Sequence, residues 1–87
     1  MDTVKKGSVV VSAAGRDAGK PFLVVNCDDA YAYLCDGKIR PVENPKKKKM
    51  KHLRFMSKEV SEKLTLKLEN NTKIENAEIR KALSKFL

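Results

Sequence analysis

Apolar positions along this chain come first in short runs and later in a helical rhythm. Ser8-Val9-Val10-Val11-Ser12 is compact and β-branched, Pro21 to Cys27 is a second apolar run, and Ala30 to Cys35 a third. In the third, Tyr31 and Tyr33 alternate with Ala30, Ala32 and Leu34, so period two puts both tyrosines on one face of a strand. Ile39 to Glu43 predicts a shorter strand, which Pro41 confines to an edge or a strand end. His52 to Met56 predicts a fifth. Turn chemistry separates these runs. Asp28-Asp29 suits a tight hairpin, and Asp36-Gly37 ahead of Lys38 is a strong turn signal, because glycine takes positive φ without a Cβ clash. Ala13 to Lys20 is a loop with two glycines.

Past Ser57 the period changes. Ile79, Ala82, Leu83 and Phe86 fall at i, i+3, i+4 and i+7, an apolar stripe on a helix that Asn76 is placed to cap and that starts at Ala77. Glu78 in the first turn and Lys85 in the last both suit the macrodipole. Val60, Leu64 and Leu68 predict an earlier helix capped by Ser57. Leu64 to Leu68 also alternates like a strand, but Lys58, Glu59, Glu62 and Lys63 are good helix formers and favour the helix. Asn70-Asn71-Thr72 is the connecting turn. The fold class is therefore mainly β with an α appendage. Residues 1–56 make a small SH3-like five-stranded barrel, the economical closure for such short strands. Residues 57–87 add one or two C-terminal helices packed on it, since so short a helical hairpin is marginal alone.

Length and composition narrow the function. Eighty-seven residues make one small domain with an appendage and exclude large catalytic folds such as a TIM barrel of ~250 residues. No apolar stretch approaches the ~18 residues of a membrane span, and Met1 to Lys6 has no secretory apolar core. Two cysteines make no disulfide framework, which predicts a cytoplasmic protein with reduced thiols. The net charge of +8 is unevenly placed. Residues 1–56 carry +6 and residues 57–87 carry +2, and the window Pro45 to Arg54 holds six positive charges and no acid.

Several candidate chemistries dissolve on inspection. Gly15 to Lys20 resembles a phosphate loop, but only three residues separate its glycines and Pro21 stands where a Ser or Thr would ligate magnesium. The glycines then serve a strand-to-strand turn, from which Arg16 and Lys20 project. Cys27, Cys35 and His52 lack the paired spacing of a zinc site, and the cysteines read as small hydrophobes in neighbouring strands. The same three residues offer a Cys–His nucleophilic pair with no orienting motif. Asp28 and Asp29 are adjacent, so on a strand they would point to opposite faces, and turn formation accounts for both. No catalytic residue, metal or cofactor is expected. The lysine run Lys46 to Lys51 is the main signal: such dense like charge is relieved by an anionic partner, and a phosphate backbone releases counterions on binding. No basic amphipathic helix accompanies it, so nucleic acid is favoured over a membrane. Tyr31 and Tyr33 are candidates to stack bases, although for each alone a place in the barrel core is the plainer reading.

Gly7 to Val25 resembles a KOW motif, a strand, a glycine-containing basic loop and a second strand. Tyr33 to Arg40, Pro45 to Leu53 and Asn76 to Leu83 extend the similarity to the small bacterial ribosomal-protein-like KOW proteins. The resemblance implies an SH3-like barrel that contacts RNA through its first loop and neighbouring basic positions. By position these are Arg16 and Lys20, then Lys38 and Arg40, then Lys46, Lys47, Lys48, Lys49, Lys51 and His52. Asp17 orients the loop on that reading.

The sequence thus predicts a non-enzymatic, monomeric RNA-binding protein acting on ribosomal or other structured RNA, in association with the ribosome or another ribonucleoprotein. The alternative is a module docking on the translation or transcription machinery through Ile79, Leu83 and Phe86, with residues 57–87 dispensable for RNA affinity. Because the charge excess is local, neutralising Lys46 to Lys49 should cost more RNA affinity than neutralising Lys58, Lys63, Lys67 and Lys73, measured by titration of RNA with each quadruple variant.

Overall fold

The computed structural model describes residues 3–13, Gly15 and 18–87. The β-branched and aromatic runs form strands: β1 Val9–Ser12, β2 Pro21–Cys27, β3 Tyr31–Cys35 and β5 Leu53–Ser57, with β4 at Lys46–Lys49. All neighbours pair antiparallel in the order β4-β3-β2-β1-β5. Helices α1 Glu62–Glu69 and α2 Asn76–Leu83 follow, then a 3-10 turn at Ser84–Phe86. The class is the expected one, mainly β with C-terminal helices.

The two edge strands, β4 and β5, are separated in sequence only by the 3-10 turn Met50–His52. Four residue steps reach at most ~14 Å, whereas the outer strands of a flat five-stranded sheet lie ~19 Å apart. The sheet therefore curls. β4 and β5 are not hydrogen-bonded neighbours, so the ladder stays open and is not a closed barrel.

Strand alternation sends one set of side chains into the curl and another outward. Val10, Phe22, Val24, Ala32 and Leu34 fill the inside, with Met50 from the edge-to-edge link and Leu53 from the start of β5 packed on them. Val9, Leu23 and Cys35 face outward and meet Val60, Leu64, Ile74, Ile79 and Leu83. The helical part is thus half of a shared core. Two glycines permit the close approach. A Cβ on Gly7 would stand 2.8 Å from Thr65 Oγ1, and one on Gly37, at φ +77°, would run into the Asn76 carbonyl. The Arg80 guanidinium donates to the Gly37 carbonyl, and Lys67 of α1 pairs with Glu78 of α2 at 2.6 Å.

Several expectations are corrected. Ile39 to Glu43 is bend and turn, not strand. Its amides are taken elsewhere: Lys38 and Arg40 donate to Asp36 Oδ1 and Val42 donates to Asn76 Oδ1, while Pro41 has none to give. The fourth strand is instead the lysine run, expected as a basic loop. The first helix starts at Glu62, not near Ser57: Ser61 Oγ accepts from Leu64 N, while the Val60 amide is held by the Gly7 carbonyl at 2.8 Å. In the second, Glu75 is the cap, one residue before Asn76, and its amide donates to the Glu78 carboxylate. Asn76 is thereby released to bridge Val42 N and the Glu43 carboxylate.

Ile79 and Leu83 are buried, and Phe86 packs half-buried beside them, so these residues are core and not a docking stripe. Residues 57–87 also contribute to the core of the fold. Burying an aliphatic side chain of this size stabilises by about 1.5–3 kcal/mol, against a total stability for a small domain of ~5–15 kcal/mol. The helical part supplies Val60, Leu64, Ile74, Ile79 and Leu83 to the core. A chain truncated after Met56 should lose cooperative thermal unfolding by circular dichroism and bind ANS; a sharp melt like that of the whole chain would contradict this.

Candidate nucleic-acid interface

Register decides how the four lysines of β4 are displayed. Tyr31 stands opposite Lys49, Ala32 opposite Lys48, Tyr33 opposite Lys47 and Leu34 opposite Lys46. Ala32 and Leu34 point into the curl, so Lys46 and Lys48 lie on that side and are half-buried. Lys47 and Lys49 point the other way and are exposed, beside the half-buried Tyr31 and Tyr33. Neither tyrosine belongs to either core cluster, against the plainer expectation that one would close the barrel. The Lys47 ammonium stands 4.3 Å from the centroid of the Tyr31 ring. Beside it, Asp29, Ala30, Tyr31, Lys49, Met50 and Lys51 line a shallow groove.

Asp28 builds the turn that presents Tyr31. Its Oδ1 accepts from Ala30 N at 2.8 Å and Tyr31 N at 2.7 Å. These amide bonds, Tyr31's first, hold the Asp28 carboxyl below its ordinary value, so it keeps its charge to lower pH than an unbonded aspartate.

The other basic candidates fall into two places. Ala13 N donates to the His52 carbonyl at 2.9 Å, and a Cβ on Gly15 would stand 3.9 Å from Lys48 Nζ. The glycine loop, Lys48 and the exposed His52 therefore converge, with exposed Lys51 next in chain. Arg16 and Asp17 of that loop lie outside the described residues. Lys20 and Lys38 instead border a second groove, of about 330 Å³, with Ile39, Arg80 and Leu87 among its lining. Arg40 is half-buried behind the Asp36 turn, its amide and carbonyl both engaged there, and belongs to neither display. The sequence reading missed Arg80, which sits in a nearly neutral segment, and Arg54, exposed on β5 opposite Val11. Charge counting carries no signal for Arg80, whose place beside Gly37 is set by the docking of α2. Among the tail lysines, Lys67 and Lys73 pair with Glu78 and Glu75.

The cysteines pack on opposite faces of the sheet, Cys35 against the helices and Cys27 against the inner cluster. They therefore share no site. Burial pushes the Cys35 thiol up to about 12, and raises that of Cys27 as well. A thiol so raised stays protonated and is a poor nucleophile. Among the described residues, no three His, Cys, Asp or Glu side chains cluster as metal ligands would. No helix among them is long and apolar enough to cross a membrane.

No family model matches the chain, and no curated protein matches it at significant similarity.

The thiol surroundings give a direct test. At pH 8 iodoacetamide should label Cys35 only at the rate of unfolding and Cys27 faster, by mass spectrometry of intact protein. Rapid native labelling of Cys35 would show that the helix-side core is open.

Proposed function

We propose that this chain is a non-enzymatic RNA-binding protein that holds ribosomal or other structured RNA through the basic surface of its curled sheet. The observation that carries the reading is the shared face of Lys47 and Lys49 with Tyr31 and Tyr33 on the β3–β4 pair. Cations there meet phosphates, and aromatic rings beside them meet bases, the two contact types from which RNA interfaces are made. The excess of charge supports it, since no acid interrupts Pro45 to Arg54. The similarity of Gly7 to Val25 to a KOW strand–loop–strand adds the loop, Lys48, Lys51 and His52 as a second contact region, and suggests a place on the ribosome or in translation. Lys20, Lys38 and Arg80 extend the basic surface at the other groove.

A second reading draws on Ile39 and Leu87, exposed at 61% and 91%, which border that groove. Exposed apolar side chains among cations suit docking on an acidic protein of the translation or transcription machinery.

Salt separates the two readings. With about five phosphate contacts, RNA affinity should fall by about two orders of magnitude between ~50 and ~200 mM salt. Fluorescence anisotropy with a labelled ribosomal RNA fragment measures this. Salt-insensitive binding, or none at low salt, would overturn the RNA reading.

A further inference from the structure

We infer that the outer face of β3 and β4 takes single-stranded RNA, with unpaired bases stacked on Tyr31 and Tyr33 and phosphates held by Lys47 and Lys49. This rests on the RNA-binding reading and names the form of RNA that this face selects.

Spacing comes first. Residues two apart on a strand are about 6.6 Å apart, roughly twice the ~3.4 Å rise per base within a stacked strand. Bases seated on the two tyrosines are therefore parted from one another. A duplex, whose bases are paired and stacked inside, offers no such arrangement, whereas an extended single strand does. The second observation is access. The Lys47 ammonium stands 4.3 Å from the Tyr31 centroid, so what covers this ring face is a mobile surface side chain and not core. The present occupant is an exposed lysine on a flexible stem, which can swing from the ring to a phosphate as a base arrives. Thirdly, neither tyrosine is among the residues that make up the two core clusters. The turn beneath Tyr31 is nevertheless pinned by Asp28, so the platform is presented by a fixed backbone. The groove beside Tyr31, lined by Lys49, Met50 and Lys51 among others, continues the path for the strand.

Register makes the inference specific. Of the four lysines, only Lys47 and Lys49 share the tyrosine face. Replacing that pair by glutamine should weaken single-strand binding more than replacing Lys46 and Lys48.

The chain contains two tyrosines and no tryptophan, so its intrinsic fluorescence reports on this face alone. Titrating the intact chain at low salt with an unlabelled oligouridine 12-mer should quench that fluorescence. An RNA duplex of equal nucleotide content should bind with little quenching. Tyr31→Ala and Tyr33→Ala should each lower single-strand affinity about tenfold or more. They should leave duplex affinity within about twofold, and Tyr31→Phe and Tyr33→Phe should retain single-strand binding. If saturating single strand leaves the fluorescence unchanged, or the alanine variants bind it as tightly as the parent while Lys47→Gln/Lys49→Gln weakens it, stacking is overturned and phosphate binding stands. If the parent binds neither RNA, the RNA-binding reading falls with it.

Discussion

The structure depends on a short tether between two distant strands. β4 and β5 are the opposite edges of the sheet, yet only Met50–His52 separates them. No flat sheet satisfies that link, so the five strands must curl until the edges converge. The curl creates an inside small enough for five side chains, Val10, Phe22, Val24, Ala32 and Leu34, to fill. It also brings the end of the lysine strand to the glycine loop, with Lys48 beside Gly15 and His52 bonded to Ala13. A longer connection would relax the curl and part these groups.

Curling leaves a convex outer face, and what happens along it decides the rest. At β1 and β2 and at the end of β3, small and aliphatic residues (Val9, Leu23, Cys35) accept the helices. Gly7 and Gly37 let helical residues approach the backbone, and the Lys67–Glu78 pair ties one helix to the other. Two positions back along β3, the same face carries Tyr33 and then Tyr31, beyond the helical cover. One alternation thus supplies both the helix-docking surface and the aromatic–basic display. Lysines suit an edge strand for a separate reason: their charge discourages pairing with another sheet, while their stems lie along the pleat.

Much of this was legible in the sequence. Four of the five strands, both tight turns and both helices follow from period and turn chemistry, because those signals are local. So does the sharing of one face by Tyr31 and Tyr33, since strand alternation needs no partner. The departures lie where a distant group outbid a local one. Asn76 looks like a cap, but its amide side chain serves Val42 and Glu43, and Glu75 caps instead. Val60 fits a helical stripe, but its N–H goes to the Gly7 carbonyl, which keeps it out of the helix that Ser61 caps. Ile39 to Glu43 has strand-forming residues, but Asp36 and Asn76 take its amides.

The lysine run shows the division most clearly. The sequence by itself determined that a dense positive segment follows the third strand and that two tyrosines share a face. It held no instruction for the lysines to form a strand, because four like residues carry no hydrophobic period to register. Only pairing with β3 imposed one, setting Tyr33 opposite Lys47 and Tyr31 opposite Lys49. That register sorted four chemically identical side chains into two that flank the tyrosines and two that turn toward the curl. It is a tertiary outcome, because the backbone hydrogen bonds that define it join residues from two separate stretches of chain.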